Sequence, residues 1–323
     1  MISKYQFLLL LNIAFITFCI SCNQSDRQKS HPPTETKYQL TATPAVTIQG
    51  MSTPVTNRYY YTINTETNME MEVNGQSMKR SNSSELGLIY ETKTDSVGHR
   101  SLSIIYDKIH LKQKNNDTET EMDADNAATS ADPTEQLLGL LKGTRVTASI
   151  DTKGKMTNIQ GYQQLVETIM KKINKADGYT RQQVQLQLTQ LTGEDFIKTN
   201  LEQVAGIFPD TAVYIGDTWQ TQSRQPGQIP MLCSNTYHLA SVENGKMVIE
   251  SDTQITADKD NAGSNAATAD IKGKQTGILE LDEHTRMLLG NTVQSSVKGT
   301  IQAMGREIPV TITTYKKMQS KKI

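Results

Sequence analysis

The chain has 323 residues, with 33 Lys and Arg against 34 Asp and Glu, so its formal charge is −1. That balance argues against a dedicated nucleic-acid binder, and three cysteines, Cys19, Cys22 and Cys233, are too few for a disulfide framework. Forty threonines favour pleated, half-buried strands, and the core has to come from Val, Ile, Leu, Met and Tyr, because three of the five Phe lie in the first 20 residues.

Lys4 precedes an apolar run, Phe7 to Ile20, of 14 residues. A spanning helix needs about 20, so the run fits a secretory h-region. Cys19-Ile20-Ser21-Cys22 follows, then the polar Asn23 to Ser30. A small residue directly before Cys22 resembles the lipobox of bacterial lipoproteins. That resemblance implies a signal peptide over 1–21 and a mature chain that starts at Cys22, with diacylglycerol on its sulfur and a further acyl chain on its amine. One acyl chain binds a membrane only marginally, whereas two or three anchor stably. Residues 22–37, with Pro32-Pro33, then form a lipid-anchored polar tether. The expected localisation is the bacterial cell envelope, on the outer membrane, and the membrane is the first expected partner, through lipidated Cys22.

Residues 38–323 read as a single domain. From Tyr59 to Val73 the chain alternates without a break: Tyr59, Tyr61, Ile63, Thr65, Thr67, Met69, Met71 and Val73 share one face. Fifteen residues at a period of two make a strand about 50 Å long. Asn74-Gly75 is a hairpin signal, and the return strand carries Leu86, Leu88 and Tyr90. Strands follow over 99–112, 144–150 and 155–160, with a low-complexity loop over 124–133 and a short helix over 134–141. Tyr162, Leu165, Val166, Ile169, Met170 and Ile173 fall on one stripe of a helix. Further helices are expected over 180–191 and 193–207, ended by Phe208-Pro209. Strands at 236–242 and 246–256 flank Asn244-Gly245, a second strong turn, and 271–281, 286–301 and 307–315 complete the set. The expected fold class is α+β: a large curved antiparallel sheet, an unclosed barrel, with a helical block packed on one face. A division into two domains near 124–133 is the alternative.

The search for chemistry turns up few candidates. The histidines His31, His99, His110, His238 and His284 have no zinc-hydrolase spacing. His238 and Cys233 lie about 17 Å apart on an extended chain, and Cys233 reads as a small apolar residue. Nucleophile-elbow, P-loop and dinucleotide motifs are missing from the sequence. The acidic run Asp117, Glu119, Glu121, Asp123 and Asp125 fails as a calcium loop, since positions six and twelve counted from Asp123 are Ala128 and Thr134, and reads as a solvated, charged strand and loop. No catalytic residue, metal ligand or cofactor is assigned. Trp219, the sole Trp, closes one end of the core or touches a ligand, and the structural role is favoured.

The lipobox Cys22, Asp151-Thr152-Lys153-Gly154-Lys155, the helix at Tyr162, Phe208-Pro209, Gly216-Asp217-Thr218-Trp219 and Gly277-Ile278-Leu279-Glu280-Leu281-Asp282, in that order, resemble an uncharacterised family of bacterial envelope lipoproteins. Its layout is similar to that of the Lol-type lipoprotein carriers and related lipid-binding lipoproteins. The resemblance implies a non-enzymatic protein that holds a lipid, an acyl chain or another apolar ligand between sheet and helices. The expected lining is Val146, Ala148 and Ile150 on the sheet and Leu165, Ile169 and Ile173 on the helix. A surface or periplasmic interaction protein with a filled core, binding protein or glycan, is the alternative, and a hydrolase without a recognised motif is a third. The sequence leaves the oligomeric state open.

Overall fold

The computed structural model describes residues 55–73, 75–94, 100–130, 132–150, 156–172, 213–225, 229–258, 269–283, 287–303 and 306–323, with the single positions 178, 181 and 207. The leader, Cys22 and the tether lie outside the described residues. So do the turn at 151–155, Ile173, Phe208-Pro209, and the helices expected over 180–191 and 193–207 apart from positions 181 and 207.

Twelve strands form one antiparallel sheet. They are β1 (Val55–Val73), β2 (Gln76–Thr94), β3 (Arg100–Asn115), β4 (Thr118–Asp123), β5 (Arg145–Ile150), β6 (Met156–Gln160), β7 (Thr218–Gln225), β8 (Met231–Glu243), β9 (Lys246–Ala257), β10 (Ala269–Asp282), β11 (Leu288–Ala303) and β12 (Arg306–Lys322). The spatial order is β6-β5-β3-β2-β1-β12-β11-β10-β9-β8-β7, with β4 paired beside β3. The first and last strands therefore meet at the centre, where Tyr59 lies opposite Lys322 and Met71 opposite Val310. Among the described residues β6 and β7 end this order without pairing with each other, so the barrel does not close. Helices α1 (Pro133–Leu141) and α2 (Tyr162–Lys172) pack on one face.

The side-chain period of two is what builds that face. Along β1, Tyr59, Tyr61, Ile63, Thr65, Thr67, Met69 and Met71 are buried, while the residues between them face outward. Leu137, Leu138 and Leu141 of α1, and Leu165 and Ile169 of α2, bury against the strands in one apolar cluster. Asn244 and Gly245, both at positive φ (52° and 76°), make the β8–β9 turn, a conformation whose twist matches that of the flanking strands.

Three details refine the sequence pattern. Residues Ala124–Asn126 are a 3-10 turn rather than loop, held by the Asp125 N–H donating to Asp123 Oδ1 (2.9 Å) and the Asp123 N–H donating to Glu135 (2.8 Å). The acidic run becomes strand β4, because the basic β3 beside it supplies cross-strand partners: Lys112 to Glu119 at 2.8 Å, and His110 to Asp123 at 3.1 Å. Strand β12 continues past Tyr315 to Lys322, since β1 and β11 both offer it backbone partners.

Candidate functional site

The buried face of the sheet is banded. Toward the helices lies the larger apolar cluster, which includes Tyr61, Leu88, Trp219, Tyr237, Leu239 and Leu279. Toward the other end lies a second, separate one, with Met69, Cys233, Ile255, Val297, Ile301 and Ile312 among its members. Between them a polar row crosses the sheet in register. In the C-terminal strands it runs Thr221, Asn235, Thr253, Gln275 and Ser295. Thr314, Thr67, Asn82 and Gln113 carry it on through β12, β1, β2 and β3. Thr253 donates to Asn235 (2.8 Å), Thr67 and Thr314 share a bond (3.2 Å), and Gln113 donates to Asn82 (3.1 Å).

Two charged side chains lie buried on this face, both cationic, and among the described strand residues no carboxylate joins them. Arg80 donates through Nε to Asn82 Oδ1 (3.2 Å), and burial lowers its pKa to about 10. Lys316 is 7% exposed, and among the described residues nothing forms an ion pair or hydrogen bond with it. Burial alone pushes its ammonium down to about 8. Among the described residues the one buried carboxylate, Asp258, lies just past β9 and pairs with Arg224 at 3.1 Å. Asn291 and Ser295, each 3% exposed, keep side-chain atoms without partners: both amide atoms of Asn291 and the hydroxyl of Ser295.

Val146, Ala148, Leu165 and Ile169 come together in the larger apolar cluster, where Ala148 lies opposite Leu102. Ile150 pairs with Arg100 and Met156 through its backbone, its side chain lying outside the described residues with Ile173. Trp219 is a core residue: its indole N–H donates to the Ile207 carbonyl (2.6 Å), and its ring lies 5.7 Å from that of Tyr237. Cys233 is fully buried, while His238, on the same strand, is exposed and paired with Glu250 at 3.1 Å. His110 bridges Asp123 and Glu121 (3.1 and 3.5 Å). Among the described residues no three His, Cys, Asp or Glu converge on a metal position.

Sequence reasoning passed over Lys316, Asn291 and Ser295. The signal for Ser295 and Asn291 was there, since both share the parity of Val293 and Val297 in β11. Lys316 follows directly on Tyr315, where the strand expected over 307–315 ends.

The outward face carries a groove of about 390 Å³ over β1, β10, β11 and β12. Glu66, Lys274, Gln294, Thr313 and Tyr315 line it, and Tyr315 is 45% exposed.

The class defined here is an unclosed, all-antiparallel sheet with helices on its buried face. Residues 98–288, more than half of the chain, match a family of unknown function (DUF6263), and the chain belongs to that family. No curated protein matches it. Among solved structures it is similar to one described as lipid–protein interactions in lipovitellin, at 10% identity over 82% of this chain with a TM-score of 0.45; the chain spans 25% of that one. It is also similar to OccK7 (OpdD) of Pseudomonas aeruginosa (6% identity, 83% of this chain and 99% of that one, TM-score 0.21). The outer membrane protein Omp33 of Acinetobacter baumannii is a third (3% identity, 81% and 98%, TM-score 0.14).

Proposed function

We propose that this is a non-enzymatic, lipid-anchored protein of the bacterial envelope. It holds a lipid, an acyl chain or another apolar ligand on the buried face of its sheet, under the helices. The observation that carries the reading is the banding of that face: apolar clusters on both sides of a polar row, in a sheet that does not close. A face that served only as a core would gain nothing from a buried polar row with unpartnered atoms, because such atoms cost stability. An amphipathic guest uses both kinds of surface. The separation of His110, Cys233 and His238 into an ion-paired ladder, an apolar core and an exposed pair supports the non-enzymatic part. The anchor rests on Cys22 and the h-region before it.

Native mass spectrometry of the purified Cys22→Ala chain tests the carrier reading. A co-purified lipid is expected as added mass, and a bare mass together with no binding of an apolar dye would overturn it. Metabolic palmitate label is expected on the wild-type chain and not on Cys22→Ala, and label that persists in the variant would end the anchor.

The second reading, glycan binding, is favoured by the outward groove, where exposed Tyr315 lies among side chains that donate and accept hydrogen bonds. Glycan-array binding lost in Tyr315→Ala would select it.

A further inference from the structure

We infer that Lys316, Asn291 and Ser295 form the seat for the anionic head of a single-chain amphiphile, a carboxylate or phosphate whose chain lies along the larger apolar cluster; this rests on the carrier reading above.

The register assembles the three groups. Lys316 of β12 lies opposite Val293 of β11. Asn291 and Ser295 stand two residues to either side of Val293, on the same face, so both are diagonal neighbours of Lys316 at about 7–8 Å between backbones. Asn291 and Ser295, about 13 Å apart along β11, bracket the position of Lys316, and of the three only the lysine side chain is long enough to lean toward either neighbour. An ammonium carries three donors, a carboxamide two and a hydroxyl one, a set that suits the several lone pairs of a carboxylate or phosphate. Each of the three residues is more than nine-tenths buried; among the described residues the Asn291 amide and the Ser295 hydroxyl are buried without partners, and Lys316 makes no ion pair or hydrogen bond.

The sign of the charge selects the ligand. Buried polar atoms are ordinarily paired, and a buried charge is ordinarily matched. A water molecule could satisfy Asn291 and Ser295, but it leaves the ammonium uncompensated. Among the described residues the remaining buried charge on this face is Arg80, also a cation, two strands from Lys316 and beyond the polar row. An anion answers the charge and the donors together, in charge-assisted bonds.

The apolar surface beside the seat selects an amphiphile over a free anion. Asn291 lies opposite Leu279 on one side and Met318 on the other, and Met318 lies opposite Ile63. From Thr65, opposite Lys316, to Tyr59 the buried face of β1 runs about 20 Å, the reach of an extended palmitoyl chain.

Isothermal titration of the full chain with palmitate, hexadecanol and inorganic phosphate tests this. Wild type is expected to bind palmitate at least tenfold more tightly than hexadecanol, and phosphate not measurably. Lys316→Gln should abolish the preference while leaving hexadecanol affinity within about twofold. Asn291→Leu, which keeps the cation, should reduce the preference and guards against a folding defect in the first variant. An unchanged preference in both variants, or equal affinities in wild type, overturns the head-group seat and leaves the carrier reading standing. Binding of neither amphiphile overturns both, and phosphate binding lost in Lys316→Gln without either amphiphile would make it a free-anion site instead.

Discussion

Burial lowers the Lys316 ammonium to about 8 from 10.5 in water. Below pH 8 the group is charged in both folded and unfolded chains, and the folded state bears the whole desolvation cost. Between pH 8 and 10.5 the unfolded chain binds more protons, so stability rises with pH across that window. Lys316→Met removes the cost: at pH 7 it should stabilise by about 3 kcal/mol, and the gain should shrink from pH 8 upward and vanish near 10.5. Urea midpoints of both chains at pH 7 and pH 10 check this; a gain that is equal at both pH values would show that packing, not charge, is responsible. A residue that lowers stability and also fits a ligand is the pattern expected of a binding site. Sequence alone could not reveal it. Lysine at an inward position breaks the alternation, so the strand seemed to end at Tyr315, one residue before the informative one.

At the scale of elements, the hairpins and the edge strand β6 were legible. Tyr59 to Val73 alternates because one face is wet and the other buried, and the positive φ of Gly75, Asn244 and Gly245 leaves the turns there few alternatives in conformation. The α2 stripe was legible for the same reason, with Leu165 and Ile169 one turn apart. Strand β4 was legible only as a solvated, charged strand, and its pairing was not, since its partners come from β3 and none of its own side chains is fully buried. The placement of α2 hinges on Gly161, which has φ +92° and lies where a Cβ would meet the Arg145 carbonyl oxygen at 2.6 Å. Gly161→Ala combines a left-handed backbone with a contact against β5 main chain that cannot yield. It should cost about 2–3 kcal/mol, whereas Gly245→Ala, with φ +76° and open space, should cost about 1 kcal/mol. Thermal melts of the two variants should rank them in that order, and a similar loss for both would remove the β5 contact from the explanation.

For the whole molecule, the chain starts and ends its sheet at the centre, and the segment between β6 and β7 carries α2. The larger apolar cluster draws on strands from both halves and on both helices, so parting the helices from the sheet disturbs the entire core. Ala148 reports on that joint. It faces Leu102 across β3 and is buried in the cluster with Leu165 and Ile169. A phenylalanine there adds volume where side chains already touch, so Ala148→Phe should destabilise the ligand-free protein by about 1–3 kcal/mol. Ligand adds a second measurement. Saturation at about a hundred times Kd stabilises a folded protein by about 2.7 kcal/mol, which reads as a rise in melting temperature. If the bed extends under the helices, palmitate should raise the melting temperature of wild type and raise that of Ala148→Phe distinctly less, because the ring occupies part of the bed. Equal rises would confine the bed to the surface between Lys316 and Tyr59 and leave the helices as a structural cover alone.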